Sequence, residues 1–217
     1  MVTIIIPTRN DRAVGKVIDE IRELPFDCKI VVTDYKSTDG TREAVLLREA
    51  TLIDEPEKGK GIAVRNVLKG LETDYIVILD ADYTYPAGYI PDILTGLHSG
   101  ADVAIGYRCW KEKGSMSFTN RIGNFLLSLL ASILFGYRIY DVCSGMWGFR
   151  KKVLSQFKLT SRDFTLEVDF FTNAIRNSCR ISQVPIGYRP RLEGSKAKLR
   201  VWDGFRIAWF LIRRRFR

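Results

Sequence analysis

The chain has 217 residues, 46% of them apolar, enough for one sizeable core in a single domain with at most an appended arm. Its net charge of +9 is uneven: residues 189–217 hold ten Lys or Arg against Glu193 and Asp203, a net of +8, and the rest of the chain is nearly neutral. Such a tail predicts a polyanionic surface, membrane or nucleic acid, met at one end, and argues against a uniformly basic protein. Cys28, Cys109, Cys143 and Cys179 are widely spaced without a CxxC pair, which predicts reduced, mostly buried thiols in a cytosolic compartment. His98 is the only histidine, so a Ser/His/Asp triad is excluded unless His98 is its base; its place shortly before Gly100 reads instead as a solvated helix end. Residues 2–6 form a short β-branched run stopped by Pro7, too brief for the apolar region of a signal peptide.

In chain order, residues 2–6 form a β-branched run read as a strand, and residues 11–24 carry helical spacing behind Asp11 as N-cap. Residues 30–33 and 51–54 repeat the strand pattern on either side of a helix over 39–49, capped by Asp39. A helix over 61–72 leads to a strand over 75–79, a helix over 86–97 starts near Pro86, and residues 102–105 form a further strand. This alternation predicts an open, mostly parallel α/β sheet with helices on both faces. Ligands of such sheets bind beyond the C-terminal ends of the strands, where Pro7, Thr8, Arg9, Asn10 and Asp11, then Asp34, then Asp80, Ala81 and Asp82 all fall.

The run VILDADYTYP, residues 77–86, ends a strand on Asp80 and Asp82. In an extended segment residues i and i+2 face the same side, so both carboxylates reach one divalent cation, or one cation and a sugar hydroxyl. Hard oxygen donors of this kind suit Mg²⁺ or Mn²⁺ completed by water and phosphate. An EF-hand loop starting at Asp80 would need Gly at its sixth position and Glu at its twelfth, where Tyr85 and Pro91 stand. Asp80-x-Asp82-x-Thr84 also resembles the nucleophile motif of haloacid-dehalogenase-type phosphatases, but no later acidic pair of the DD or GDxxxD type accompanies it. The KGKG loop, residues 58–61, opens a helix and reads equally as a nucleotide approach or a plain helix start.

An ordered series of blocks carries a broader resemblance: IIIPTRND (4–11), DYKSTDGT (34–41), KGKG (58–61), DAD (80–82), GYR (106–108), DVCSG (141–145) and PIGYRPRLEGSK (185–196). The series resembles family 2 glycosyltransferases of GT-A fold, and within them the dolichol-phosphate mannose or glucose synthase branch. The resemblance implies a GT-A domain over residues 1–198. Pro7, Thr8, Arg9 and Asp11 would lie beside the nucleoside, Asp34 on base or ribose, and Lys60, Gly61, Asp80 and Ala81 along the rest of the nucleotide sugar. Asp80 and Asp82 would hold Mg²⁺ or Mn²⁺, and Arg191, Ser195 and Lys196 would close over the donor diphosphate. Arg108 and Arg121 would hold the acceptor phosphate beside Ser144 and Gly145, which makes Asp80, Asp82, Arg108 and Arg121 the expected catalytic set. Glu167 and Asp169, in a helical stretch, read as ordinary surface or capping charges. Two departures, Tyr35 where a second acid is frequent and Thr84 where Gln is frequent in mannosyl enzymes, leave the donor open between GDP-mannose and UDP-glucose.

The reaction the resemblance implies is inverting transfer of a hexose to a polyprenyl (dolichyl) phosphate at the cytoplasmic membrane face. With a second pKa of about 6, a phosphate monoester arrives ionised and needs no general base. Residues 118–135 contain an apolar run over 125–135, shorter than the ~20 residues of a transmembrane helix, and read equally as a core helix or an interfacial one. Residues 199–217 read as a basic amphipathic helix on an anionic membrane, with Trp202, Phe205 and Trp209 beside Arg206, Arg213, Arg214 and Arg215. The dense apolar run over 208–212 argues against nucleic acid. Membrane contact is then peripheral or supplied by a membrane-protein partner. The competing readings are a glycosyltransferase acting on a soluble or polysaccharide acceptor, an aspartyl-phosphate phosphatase with Asp80 as nucleophile, and a non-catalytic membrane or nucleotide-binding module.

Overall fold

The computed structural model describes residues 1–192, 195 and 201–216. Strands and helices alternate as β1 (Val2–Thr8), α1 (Val14–Arg22), β2 (Lys29–Asp34), α2 (Thr41–Leu46), β3 (Thr51–Asp54), α3 (Lys60–Leu68), β4 (Tyr75–Leu79), α4 (Ile90–His98) and β5 (Val103–Lys111). Then follow α5 (Phe118–Phe135), β6 (Met146–Arg150), the short α6 (Lys151–Leu154), α7 (Leu166–Arg176), β7 (Ile181–Tyr188) and α8 (Val201–Arg215). One sheet takes all the strands in the order β3-β2-β1-β4-β6-β5-β7, parallel except for β6, which runs antiparallel to both neighbours. The expected open, mostly parallel sheet is present.

Alternation along the strands splits the core in two. Ile4, Ile6, Val32, Val77 and Leu79 pack against α1, α2 and α4, while Ile5, Val31, Ile76 and Ile78 pack with α3, α5, α7 and α8. α1 buries Val14, Val17, Ile18 and Ile21, the i, i+3, i+4, i+7 stripe of a helix with one face on a sheet. Trp147, Phe149, Phe170 and Phe171 are fully buried on the second side, each large apolar side chain contributing about 1.5–3 kcal/mol.

Several expectations need correction. Asp11 and Asp39 are not N-caps: α1 starts later, behind Ala13, and α2 behind Gly40. Asp39 Oδ1 instead accepts from Thr41 N at 3.1 Å, a local Asx turn that precedes the helix. β6 and β7 were not anticipated. β6 follows the DVCSG loop rather than a helix, and β7 contains Pro185, which only its edge position tolerates. Cys109 is exposed, and the other thiols are half-buried. His98 does end α4 in solvent, edge-on to Tyr75.

The helices at the C-terminal side differ most from expectation. α5 has Ser128 and Ala131 buried, with Leu127, Leu130 and Leu134 half-buried against the core. Its outward stripe, Phe118, Ile122, Phe125, Leu126, Leu129 and Ile133, is exposed. By length and composition α5 would suffice to cross a bilayer, yet it lies along α8 on the protein surface. α8 is a core helix on one face, with Ile207 and Leu211 fully buried, and carries exposed Trp202, Phe205 and Trp209 on the other. The expected domain boundary at 198/199 lies outside the described residues, but α8 packs into the main core rather than standing apart.

Candidate active site

Parallel β1, β2 and β4 end at Thr8, Asp34 and Leu79 on one edge of the sheet. Antiparallel β6 starts at that edge: Met146 lies opposite Leu79, and Asp80 N donates to Gly145 O at 3.2 Å. β5 and β7 point the same way as β4, so Arg108 and the segment after Tyr188 arrive at the same place. The single reversed strand therefore gathers the blocks 80–82, 106–108, 141–145 and 189–191.

Asp80 and Asp82 each carry a basic partner. Lys60 Nζ lies 2.5 Å from Asp80 Oδ1 and also reaches Glu167 Oε1. Arg191 Nη2 lies 2.9 Å from Asp82 Oδ2, and Asp82 Oδ1 accepts from Thr84 Oγ1 at 2.6 Å and Thr84 N at 3.2 Å. Tyr83, at φ +65°, makes the tight turn that brings Thr84 back onto Asp82. Burial works against the Lys60 ammonium, but Asp80 and Glu167 outweigh it and hold it charged; burial pushes the Glu167 carboxyl up against the pull of Lys60. A Cβ on Gly145 would run into the Asp80 carboxylate, so Gly145 abuts Asp80 rather than standing free as an acceptor wall.

At the end of β2, Asp34 is buried. Its oxygens accept from Ser37 N at 3.0 Å, from Ser37 Oγ and from Arg42 at 3.1 Å. That carboxylate organises the 34–41 turn. Asp11 receives Ser195 Oγ at 3.0 Å and donates its own N–H to Thr41 Oγ1 at 2.8 Å, which draws the segments holding Asp11, Thr41 and Ser195 together. Arg9 is exposed with its guanidinium 5.3 Å from the Tyr35 ring, and Pro7 and Thr8 lie at the end of β1, the Thr8 hydroxyl buried with no hydrogen-bond partner among the described residues. Ala81 is buried. Gly61 does not open onto a nucleotide: its N–H is taken by Arg162 O at 3.0 Å, and a Cβ would strike Ser161 O. The N–H groups of Ile62 and Ala63 are likewise taken, by Gly59 O. Lys196 lies outside the described residues.

Beside β6, Arg108 makes a buried fork on Asp141, Nε to Oδ2 at 2.6 Å and Nη2 to Oδ1 at 2.7 Å, and also donates to Cys143 O. Burial raises the Asp141 carboxyl, but Arg108 outweighs it and holds the group below its ordinary value. The Arg108 guanidinium is thus already matched by a carboxylate. Arg121 is exposed on the first turn of α5. Lys111 Nζ donates to Arg108 O, and burial lowers the Lys111 ammonium against the pull of Asp141, with Arg108 and Arg121 adding to that lowering. Ser144 is fully buried, its hydroxyl donating to Gly106 O and accepting from Met146 N at 3.2 Å. It braces β6 against β5.

Glu167 and Asp169 are not surface charges. Both are buried on the first turn of α7, Glu167 on Lys60 and Asp169 on Arg214, Thr160 N and Ser161 N. No local pattern distinguishes them: Lys60, the partner of Glu167, lies 107 residues away in sequence, and Arg214, the partner of Asp169, 45. Among the described residues no cluster of three or more His, Cys, Asp or Glu gathers. The two carboxylates at the strand end nevertheless fit Mg²⁺ or Mn²⁺, which accept one or two protein carboxylates and complete their shell with water and substrate phosphates. That both carboxylates draw a cationic side chain is the same charge preference.

An open, mostly parallel sheet with paired carboxylates just beyond its fourth strand fits the glycosyltransferases of GT-A fold. The chain belongs to glycosyl transferase family 2, whose model matches residues 3–157. It is 32% identical over 201 residues to glycosyltransferase AglJ of Haloferax volcanii, covering 91% of this chain and 66% of that one. It is 30% identical over 186 residues to a dolichyl-phosphate hexose transferase of the same organism, covering 86% and 81%. Among solved structures, glucosyl-3-phosphoglycerate synthase from Mycobacterium tuberculosis superposes with a TM-score of 0.79 over 99% of this chain and 79% of that one, at 18% identity. That synthase has also been solved with Mn²⁺, UDP and glucosyl-3-phosphoglycerate, and aligns there with a TM-score of 0.77. Family membership displaces the phosphatase reading and makes the chain a glycosyltransferase.

Proposed function

We propose that the protein transfers a hexose, with inversion, from a nucleotide sugar such as GDP-mannose or UDP-glucose to a polyprenyl (dolichyl) phosphate at the cytoplasmic face of a membrane. The observation that carries this reading is that α5 begins with exposed Arg121 and presents an exposed apolar stripe, while α8, packed along α5, exposes aromatics of its own. A phosphate on an apolar chain meets both features together, and Arg206, Arg213 and Arg215 add positive charge on the exposed part of α8. The dolichyl-phosphate hexose transferase among its relatives supports the same acceptor class.

In the reaction, an ionised oxygen of the acceptor phosphate bonds to the anomeric carbon as the bond to the donor diphosphate breaks, and the nucleoside diphosphate leaves with the electron pair. No proton must move, which fits a crevice without histidine. Asp80 and Asp82 would hold Mg²⁺ or Mn²⁺, which when bound supplies positive charge for the leaving diphosphate. Arg191, which pairs with Asp82, would add to it.

The test is transfer from radiolabelled GDP-mannose, and separately UDP-glucose, into organic-extractable lipid with polyprenyl phosphate and Mg²⁺ or Mn²⁺, beside Asp82→Ala. Lipid label that disappears in Asp82→Ala is the expected result. Label only in soluble products would replace the lipid with a soluble acceptor. No transfer despite nucleotide-sugar binding would reject the lipid-acceptor reading.

A further inference from the structure

Lys60 is shared by two carboxylates in a nearly closed setting, the Lys60 and Glu167 side chains being 17% and 11% exposed. A lysine needs only one carboxylate to balance it. Burying a second costs several kcal/mol of desolvation, so the arrangement is poorly explained by stability alone. Asp80 is confined on its other side as well, because its Oδ2 lies where a Cβ on Gly145 would stand. Glu167 is itself rigidly held. It sits on the first turn of α7, and Asp169, on the same turn, is fastened by Thr160 N, Ser161 N and Arg214.

We propose that Glu167 is a positioning residue of the transfer site: it holds Lys60 so that Asp80 Oδ1 is fixed, and it shares the ammonium so that Asp80 keeps net negative charge for the cation of the donor diphosphate. The inference rests on the reading of Asp80 and Asp82 as the cation-holding pair. With Glu167 neutral, Lys60 would belong to Asp80 alone and would compete with that cation directly.

The test measures Mn²⁺ binding by the loss of free-ion EPR signal, alone and with UDP or GDP, together with hexose transfer and thermal melting. It compares the native chain with Glu167→Gln and with the double variant Lys60→Met, Glu167→Leu. Glu167→Gln should melt near the native midpoint yet lose about 10- to 100-fold in Mn²⁺ affinity and in kcat, the usual cost of removing a group that orients a metal ligand. The double variant leaves no buried charge unpaired and should melt at or above the midpoint of Glu167→Gln without regaining Mn²⁺ affinity or turnover. Unchanged Mn²⁺ affinity and kcat in Glu167→Gln would overturn the inference, as would recovery of turnover along with stability in the double variant. Should Glu167→Gln fail to fold, the double variant decides alone. A native chain that binds no Mn²⁺ with either diphosphate would overturn the cation reading itself, and the inference with it.

Discussion

Asp169 on α7 and Arg214 on α8 form a buried ion pair, with Asp169 fully enclosed and Arg214 also donating to Lys158 O. Through this pair the basic end of the chain, which in sequence looks like a surface-binding tail, is fastened to the same helix turn that carries Glu167. Removing one partner leaves a buried charge uncompensated, so Arg214→Ala should cost about 3–5 kcal/mol in urea unfolding. Leu211→Ala, also fully buried on α8, should cost about 2–5 kcal/mol. Deleting residues 201–217 would for the same reason damage the whole domain, and is a poor probe of acceptor type.

The outward face of α8 separates surface function from stability. Trp202, Phe205 and Trp209 are 76%, 65% and 65% exposed. Changing all three to Ser should leave urea unfolding within about 0.5 kcal/mol per site, as for other exposed positions. Sedimentation with phosphatidylserine vesicles should show binding by the native chain that falls as salt rises and is lost in the triple variant. Equal vesicle binding by both proteins would show that the aromatics are not the contact.

The Arg108–Asp141 fork makes part of the stability acid-labile. The folded carboxyl of Asp141 is held below its unfolded value, so its contribution is fully present above the unfolded pKa and is lost as pH falls through the folded one. Asp141→Asn should therefore destabilise markedly at pH 7, by about 3–5 kcal/mol because Arg108 is left buried and unpaired. The gap between the two proteins should narrow as pH drops below the ordinary carboxylate range. Melting curves across pH for both chains read this directly, and a gap that does not change with pH would show that the carboxylate charge is not what stabilises.

Two glycines should respond differently to Ala. At Gly145 the new Cβ meets the Asp80 carboxylate, so hexose transfer should fall by about 10- to 100-fold, as when a metal ligand loses its orientation. At Gly61 it meets the Ser161 carbonyl, and overpacking should cost about 1–3 kcal/mol, seen in urea unfolding. A Gly61→Ala chain of native stability would show that the 161–162 loop yields.

The alternation of apolar strands with helical stretches, and the paired carboxylates at the end of β4, were legible in the sequence because both depend on local periodicity. Parallel strand order then places successive strand ends on one edge without further information. The partners of the charged groups were not legible. Lys60 finds Glu167 at a separation of 107 residues, Arg108 finds Asp141 at 33, and Arg214 finds Asp169 at 45. The reversal of β6 that brings Gly145 against Asp80 left no periodic signal either. α8 shows the same division: its amphipathic pattern is in the sequence, but it is apolar on two sides, and only packing against α5 and α7 decides that Ile207 and Leu211 turn inward while the aromatics face out. Periodicity records what a residue is like along the chain. Which charge is neutralised, and by what, is decided by the few ångströms over which a buried ion pair forms, a distance that only tertiary packing sets.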